Sequence, residues 1–369
     1  MKILLVQDRL RSGGTERQTI LLTRAFRSAG HEATLLTFRP GGALAPTAAD
    51  LAPRALQSFD TGLDWFAPRL RCTARGAAPD LILCMGRMAN CYAGSLQRAC
   101  PAAAVIATMR TGKKLPWLFR RSLRRVRHIV ANSHEARATL VSAHHIAPEK
   151  ITVIHNSLVF PAVTDPAGDA TPPSRSSALR TAHHATPATT ILLNVAMFRP
   201  EKNQRELITL AAALPGELDW QLWLAGEGPA RASCERLAAE LKLTARVRFL
   251  GFHRDPAPLY AAADIAVHAS TSESLSNFLI EAQAHGLPAV AYAAQGIAEC
   301  FLPGRTGWAI PPGDRTAFLT ALMPLFVAPA AERTARAAAA RTYARATFDP
   351  ARQVTAYLDL FTQLTAPAP

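Results

Sequence analysis

Short apolar runs alternate with longer helical patterns along most of the chain, and this alternation limits the possible folds more than any other feature. Six runs in the first half are predicted strands: Ile3–Gln7, Ala33–Phe38, Leu81–Met85, Ala104–Met109, Ile129–Ser133 and Ile151–His155. Helical patterns lie between them, for example at Thr15–Ser28 and His134–His145. Strands that alternate with helices predict parallel β-α-β units. The first half is therefore expected to form a doubly wound α/β sheet.

The same alternation starts again in the second half of the chain. Five further runs are predicted strands: Ile191–Val195, Gln221–Leu224, Val247–Leu250, Ile265–His268 and Ala289–Tyr292. A chain of 369 residues is longer than one core normally supports. We predict a Rossmann-like domain over residues 1–160, a Pro-, Ser- and Ala-rich linker over 161–189, a second domain over 190–345 and a C-terminal helix over 346–369. Ligands of such sheets bind at the carboxyl ends of the strands, so a cleft between these edges is expected.

Two acids separated by seven residues occur in the segment 272–290, S-E-S-L-S-N-F-L-I-E-A-Q-A-H-G-L-P-A-V. Glu273 lies in a serine-rich turn, and Glu281 lies inside a predicted helix, Asn277–His285. The first N–H groups of a helix form an anion site. Two carboxylates beside an anion site suit a ligand with many hydroxyls and a phosphate, such as a sugar nucleotide. The alternative is a surface helix with solvated acids.

Other polar or glycine-rich segments follow predicted strands. Gly13 and Gly14 open a helix in R-L-R-S-G-G-T-E-R, where the backbone can approach a phosphate. Arg199 and Lys202 lie in N-V-A-M-F-R-P-E-K-N, and Lys202 is expected in the first turn of the next helix. Two cations at a strand end can neutralise a diphosphate, although a solvated pair is the alternative. The run L-A-G-E-G-P ends one later strand with a tight glycine turn, and V-R-F-L-G-F contains the next predicted strand.

The acid pair resembles the E-x7-E motif of the retaining glycosyltransferases of family 4, also called group 1 glycosyltransferases. The resemblance implies the GT-B architecture, in which two Rossmann-like domains face each other across a cleft and the last helix crosses back to the first domain. It also implies that Glu273 contacts the donor sugar and that Glu281 holds the nucleotide ribose. The family usually has glycine after the first acid, where this chain has Ser274. Many members have a histidine near the end of the fourth strand, and here Arg110 or Thr111 takes its place.

The resemblance extends to the loops that face the donor. It implies that the Gly13-Gly14 loop faces the donor phosphates and that the loop after V-R-F-L-G-F lies against the base. The predicted catalytic residues are Glu273, Arg199 and Lys202. The predicted donor-binding residues are Gly13, Gly14, Gly226, Gly228, Phe252, Ser274, Leu275, Ser276, Asn277 and Glu281. No cofactor is expected. No metal is expected either, because cations and amides would stabilise the leaving diphosphate and the cysteines and histidines lack zinc-site spacing.

The basic charge lies wholly in the first half of the chain. Residues 1–160 carry 23 Lys or Arg against 9 Asp or Glu, whereas the remaining residues carry 18 of each. Between Arg110 and Arg127 there are eight basic residues and no acid. Leu115, Leu118, Phe119, Ser122 and Val126 are predicted to share one helix face. Such a helix can bind an anionic membrane surface or pack on the sheet with a solvated basic face, and both can hold for the same segment. The predicted acceptor or membrane residues are Arg110, Lys113, Lys114, Trp117, Arg120, Arg121, Arg124 and Arg125.

Taken with the resemblance, these features predict a retaining, metal-independent hexosyltransferase. Its donor would be a nucleoside diphosphate sugar, and its acceptor a lipid-linked, anionic glycan of surface polysaccharide or lipopolysaccharide assembly. One alternative is a nucleotide-sugar-binding protein without transferase activity. Another is a nucleic-acid-binding protein, which the charge favours but no recognised module supports. The N-terminal segment predicts a strand and not a signal peptide, so we expect a cytoplasmic protein that attaches peripherally to the inner face of the cytoplasmic membrane.

Overall fold

The computed structural model describes residues 1–158 and 173–366. The chain divides into two compact units. The first unit contains Met1–Ser157 and the chain from Pro350 onwards, and the second contains Leu158–Asp349. Each unit is built around a parallel sheet covered by helices. The predicted α/β class with two Rossmann-like sheets is confirmed.

The strands of the first unit are β1 (Lys2–Gln7), β2 (Glu32–Thr37), β3 (Arg54–Ala55), β4 (Leu81–Cys84), β5 (Ala104–Met109), β6 (His128–Ala131) and β7 (Ile151–Val153). Those of the second unit are β8 (Thr190–Val195), β9 (Trp220–Ala225), β10 (Val247–Gly251), β11 (Ile265–His268), β12 (Ala289–Tyr292) and β13 (Gly307–Ile310). The helices are α1 (Gly14–Ser28), α2 (Leu70–Ala77), α3 (Arg87–Ala99), α4 (Trp117–Arg125), α5 (His134–His144), α6 (Pro173–Ala182), α7 (Gln204–Ala212), α8 (Arg231–Glu240), α9 (Ala257–Ala262), α10 (Asn277–Ala284), α11 (Arg315–Val327), α12 (Ala330–Phe348) and α13 (Pro350–Thr365). Short 3-10 turns occur at Pro46–Leu51, Pro148–Lys150, Pro200–Lys202 and Ala298–Cys300.

Both sheets have the same kind of strand order. The first sheet runs β3-β2-β1-β4-β5-β6-β7 and the second runs β10-β9-β8-β11-β12-β13, with every pairing parallel. In each sheet the chain first builds outwards from its opening strand and then returns to that strand's other side. This reversal creates a switch point between β1 and β4 and another between β8 and β11. Ligands of open parallel sheets bind outside the carboxyl ends of the strands at such points.

The central strands are buried on both faces, as expected for parallel sheets between two helical layers. Every residue of β4, β5 and β6 is buried. The last helix, α13, completes the core of the first unit. Its Tyr357 and Phe361 rings pack on Phe26 of α1, with ring centroids 6.0 and 5.3 Å away. The predicted return of the last helix to the first unit is therefore confirmed.

The predicted linker, 161–189, is partly helical. Its residues up to 172 lie outside the described residues, but α6 forms within it and belongs to the second unit. The Arg180 side chain anchors α6, because it donates hydrogen bonds to the carbonyls of Ala262, at 2.7 Å, and Thr189. These tertiary contacts leave no signature in a segment without hydrophobic periodicity, so the sequence prediction missed the helix.

Among the described residues, no helix combines the length and apolarity needed to cross a bilayer.

Candidate active site

Two loops meet at the switch point of the second sheet, one after β8 and the other after β11. The carbonyl of Glu201, after β8, accepts hydrogen bonds from the Thr271 N–H and the Ser270 hydroxyl, both at 2.9 Å. These bonds fasten the turn that carries Lys202 to the loop that carries Glu273. Lys202 ends the 3-10 turn and α7 begins only at Gln204, so its expected place inside the first turn of the helix was wrong. The reason is Asn203, which takes a left-handed conformation with φ 52° and separates the two elements.

Glu273 is held by two nitrogen donors. Its Oε1 atom accepts hydrogen bonds from Lys202 Nζ at 2.5 Å and from His268 Nε2 at 2.9 Å. Its side chain is only 9% exposed. Burial on its own raises the pKa of Glu273, but the Lys202 charge and the His268 hydrogen bond outweigh it and lower the pKa to about 2. The carboxylate is therefore ionised at neutral pH.

The tautomer of His268 follows from its other neighbour. Asn194 Nδ2 donates to the Val267 carbonyl at 2.8 Å and lies 3.3 Å from His268 Nδ1. A carbonyl oxygen can only accept, so the amide nitrogen faces this side and Nδ1 of the ring acts as an acceptor. The ring proton is then on Nε2, which donates it to Glu273. His268 is a buried strand residue, as the sequence predicts, but it also orients the acid.

The loop that contains Glu273 is closely packed by backbone. Gly296 has φ 73°, and a Cβ atom there would lie 1.9 Å from the Ser274 carbonyl oxygen. Ser274 itself is 3% exposed and is not among the residues with positive φ. Serine in place of the usual glycine therefore needs no left-handed backbone at this position. Gly296 was not singled out from the sequence, although a glycine shortly after a strand is the signal that could have found it.

Gly226 and Gly228 serve the packing of neighbouring loops. Their φ angles are 140° and 153°, and a Cβ atom would lie 2.0 Å from the Ala196 carbonyl oxygen or 2.3 Å from that of Phe198. Because these glycines have no Cβ atom, the loop after β9 can pack closely against the segment that leads to Arg199. Their contact with a donor stays a prediction, as does that of Phe252, which follows Gly251 and is 46% exposed.

The start of α10 is capped from within the motif. The Ser276 side chain accepts a hydrogen bond from the Leu279 N–H at 3.4 Å. Leu275 and Ser276 are buried, whereas Asn277 is half-buried. The predicted anion site at this helix start therefore shares its N–H groups with the Ser276 hydroxyl.

Glu281 lies one turn further along α10 and has an aromatic partner that the sequence did not indicate. Its Oε2 atom accepts a hydrogen bond from the Tyr260 hydroxyl at 2.6 Å. The Tyr260 ring stacks on the His285 ring at a centroid distance of 5.0 Å. Burial lowers the pKa of His285 to about 4, so this ring is neutral at pH 7. Tyr260 belongs to α9, and nothing in the motif points to it.

Arg199 differs from Lys202 in its surroundings. Among the described residues, none forms a hydrogen bond or ion pair with its guanidinium group, which is half-buried. The preceding residue, Phe198, is buried and packs against Phe249. The phenyl ring therefore belongs to the core, and the guanidinium group is available for an anion.

The switch point of the first sheet is also occupied by a carboxylate. Asp8 follows β1 and accepts hydrogen bonds from the N–H groups of Met88, at 3.0 Å, and Ala89, at 2.7 Å, at the start of α3. Burial raises the pKa of Asp8 to about 6, although these hydrogen bonds lower it in part. Nearby, the Glu16 carboxylate folds back over Gly13, where a Cβ atom would lie 2.4 Å from Glu16 Oε2. Gly13 and Gly14 open α1 as predicted, and their donor contact stays a prediction.

Two family models match the chain. The model for glycosyl transferases group 1 matches residues 189–326, and that for glycosyltransferase family 4 matches residues 12–158. The chain belongs to the family 4 glycosyltransferases.

Curated relatives agree with this family, and solved structures have the same fold. The lipopolysaccharide core biosynthesis glycosyltransferase LpsE of Rhizobium meliloti is 33% identical over 132 residues, which are 36% of this chain and 38% of that protein. The chain spans roughly a third to a half of the length of the curated relatives it matches. HepE of Anabaena, solved with UDP-glucose, has a TM-score of 0.81 and 22% identity, covering 98% of this chain and 100% of that one. The lipopolysaccharide outer core galactosyltransferase WaaB has a TM-score of 0.70 and 16% identity over the same shares. These likenesses confirm the GT-B fold class.

The basic helix of this family 4 chain, α4, packs on α3. Ser122 donates to the Cys91 carbonyl at 2.7 Å and accepts from the Gly94 N–H at 3.1 Å. The buried residues of the segment are Leu115, Phe119, Ser122, Leu123 and Val126, whereas Arg120, Arg121, Arg124 and Arg125 are exposed. Leu118 was predicted on the buried face but is 50% exposed. The packed face follows residues 119, 122, 123 and 126 at helical spacing, and Leu118 falls outside it.

The other predicted acceptor or membrane residues have different surroundings. Lys113, Lys114 and Trp117 are exposed near the start of α4. Arg110, in contrast, donates to Asn156 Oδ1 at 2.5 Å and to the Tyr357 hydroxyl at 2.9 Å. Arg110 therefore ties the end of β5 to α13 and does not lie with the exposed cations.

Proposed function

We propose that this protein transfers a hexose from a nucleoside diphosphate sugar to a glycan acceptor, with retention of the anomeric configuration and without a metal ion. The observation that carries this proposal is the Lys202–Glu273–His268 arrangement at the switch point of the second sheet. It joins a fixed, ionised carboxylate to a cation at the place where open parallel sheets bind ligands. Arg199, which has no partner among the described residues, lies between β8 and Lys202.

The cations of this site would stabilise the leaving group. Cleavage of the sugar–phosphate bond places negative charge on a diphosphate, and stabilising that charge is the largest demand on the enzyme. A lysine ammonium has three N–H donors, so Lys202 can hold Glu273 and a phosphate oxygen together. Arg199 would supply a bidentate contact. With two cations in this role, no divalent metal is required.

The two acids would bind the hydroxyl groups of the donor. Glu273, fixed by Lys202 and His268, would orient the sugar, and Glu281, fixed by Tyr260, would accept hydrogen bonds from the ribose. The solved HepE complexes contain UDP or UDP-glucose, so UDP-hexoses are the first donors to test. The names of LpsE and WaaB support a lipid-linked acceptor of lipopolysaccharide or surface polysaccharide assembly.

The exposed arginines of α4 would hold the protein on an anionic membrane, where such an acceptor resides. The charge of Arg121 lowers the pKa of Arg125, which reflects how closely these cations are crowded. Surface cations are attracted to anionic lipid headgroups, and each Lys or Arg near the membrane contributes about 1 kcal/mol to binding. We therefore propose peripheral attachment at the cytoplasmic face of the membrane.

A panel of sugar nucleotides tests the enzymatic proposal. Chromatography of the released nucleoside diphosphate, with a chelator present, would identify the donor and the need for metal, and NMR of the product's anomeric proton would report the stereochemistry. We expect turnover of at least one nucleoside diphosphate hexose in the presence of chelator. Binding without turnover of any donor, with or without acceptor extracts, would support the sugar-nucleotide-binding alternative. Binding of none would refute the donor site.

A further inference from the structure

A second segment of the first unit exposes apolar side chains. We call residues 57–66 the aromatic loop. Phe59 is 72% exposed, Trp65 56%, Leu63 42% and Phe66 39%. Among the described residues, nine large apolar side chains are exposed, of which four lie in this loop and two, Trp117 and Leu118, at the start of α4. Scattered exposed apolar residues need no explanation, but a cluster of this kind marks an interaction surface.

The aromatic loop is held in a defined conformation. The Arg39 side chain, 9% exposed, pairs with Asp60 at 2.6 Å and Asp64 at 2.7 Å. Gln57 donates to the carbonyls of Leu63, at 3.1 Å, and Phe66, at 2.5 Å. Polar groups thus fix the loop from within while its apolar side chains face outwards. The exposure of these rings is therefore a property of the folded loop.

The aromatic loop and the segment that leads into α4 are both attached to the first half of α3. The Tyr92 hydroxyl donates to the Trp65 carbonyl at 2.6 Å, and Arg87 Nη2 donates to the Lys114 carbonyl at 2.9 Å. Residues 87 and 92 are only about 8 Å apart along a helix axis. The aromatic loop and the basic segment that leads into α4 therefore contact the same short stretch of α3.

We propose that the aromatic loop inserts into the interface of an anionic membrane, together with Trp117 and Leu118, while the α4 arginines bind the lipid phosphates. The proposal rests on the membrane attachment proposed above and adds the insertion element to it. Tryptophan and phenylalanine rings beside cations are typical of surfaces that lie in the headgroup region. The Arg121 guanidinium lies 5.1 Å from the centre of the Trp117 ring, so charge and apolar surface meet on one helix. The surrounding positive charge favours anionic lipid over an apolar protein partner.

Vesicle co-sedimentation separates the contributions of loop and helix. The loop variant is Phe59→Ala with Trp65→Ala, and its matched control is Leu241→Ala with Val327→Ala, two exposed apolar residues of the second unit. The helix variant replaces Arg120, Arg121, Arg124 and Arg125 with Gln. On phosphatidylglycerol vesicles we expect the loop variant to bind roughly tenfold or more weakly, while the control binds like wild type. We expect the helix variant to lose the salt-sensitive part of binding.

Tryptophan fluorescence with brominated lipid reports insertion directly. We expect quenching of the wild-type protein by bromine in the acyl chains and weaker quenching of Trp65→Phe. If the loop variant binds like wild type and quenching is unchanged, the insertion proposal is overturned, whereas loss of binding in the helix variant would still support attachment through α4. If wild-type protein binds neither anionic nor neutral vesicles, both ideas fail. UDP binding measured by calorimetry provides the control for folding of every variant.

Discussion

His268 donates a 2.9 Å hydrogen bond to Glu273, five residues later in the chain, through the ring nitrogen that does not face Asn194. The same carboxylate oxygen also accepts a hydrogen bond from Lys202 Nζ. Three elements, β8, β11 and the turn after β8, thus determine the position of one oxygen atom. A carboxylate held in this way can meet a sugar hydroxyl without first reorganising, which is the condition for electrostatic stabilisation of a transition state.

Replacing His268 separates its positioning role from a packing role. We expect His268→Ala to lower kcat by roughly 10- to 100-fold, the value of one hydrogen bond to a charged group, with a smaller change in KM for the donor. The pKa of Glu273 would rise from about 2, so the acid limb of the pH–rate profile should move to higher pH. Steady-state kinetics between pH 3 and 7 would measure both effects.

His268→Gln is the matched variant, because its amide N–H can still donate to the carboxylate. It should recover part of kcat and restore the acid limb. Equal kcat values for the Gln and Ala variants, or a loss confined to KM, would show that the hydrogen bond does not position Glu273.

Replacing Lys202 or Arg199 with alanine should have different effects on stability but similar effects on turnover. Lys202→Ala leaves Glu273 buried with one donor fewer, so we expect a loss of about 2 kcal/mol in the free energy of unfolding. Arg199→Ala removes a side chain without a partner among the described residues and should change stability little. Both should lower turnover by roughly 10²–10³. Urea unfolding at pH 7 and single-turnover kinetics test the two parts.

The stability effect of Lys202→Ala should also depend on pH. The folded-state pKa of Glu273 lies below its ordinary value of 4.5, so the ion pair stabilises the fold above that pH and loses its effect as the pH falls towards about 2. If the difference in unfolding free energy between the variant and wild type stays constant down to about pH 2, the Lys202–Glu273 ion pair is not the cause of the stability loss.

The strand ends were the most predictable part of the structure. β5, β11 and β12 have the predicted bounds, because apolar runs in buried parallel strands are continuous and stop where polar loops begin. Glu273, Arg199 and Lys202 were singled out because they lie in the loops that follow β11 and β8, and their roles stay predictions. What lies at a strand's carboxyl end can therefore be inferred from one sequence.

Contacts across the fold could not be predicted in this way. Tyr260 reaches Glu281 from another helix, and Asn194 reaches His268 from a neighbouring strand. The strand β3 has only two residues and is too short to give a signal, and the edge strand β13 was also missed. The register of α4 was wrong at Leu118, because a helix rich in arginine leaves several apolar faces open until its partner, α3, selects one.

Asp8 should make stability depend on pH. Burial raises its pKa from 3.8 to about 6, so the folded state holds a proton that the unfolded state releases. The resulting stabilisation is present below about pH 4 and is lost as the pH rises through about 6. Asp8→Asn cannot titrate, so the unfolding free energy of wild type relative to this variant should fall by about 3 kcal/mol at most across this range. Chemical denaturation at several pH values measures the trend, and a flat difference would contradict it.

Glu281 and Tyr260 should contribute unequally to nucleotide affinity. Glu281→Ala removes the proposed acceptor of the ribose hydroxyls, and a hydrogen bond to a charged group is worth roughly 1.5–3 kcal/mol, so we expect a tenfold or greater loss of UDP affinity. Tyr260→Phe keeps the ring stacked on His285 and removes the 2.6 Å hydrogen bond that orients the carboxylate. The loss of UDP affinity in this variant should therefore be smaller.

Glu240→Ala, at an exposed position of the same unit, is the charge-matched control. Calorimetry with UDP and with the nucleoside uridine would measure all three. Because the ribose is present in both ligands, the Glu281→Ala loss should be the same for each. A loss seen only with UDP would place Glu281 near the diphosphate instead, and unchanged affinity in a folded variant would remove it from the donor site.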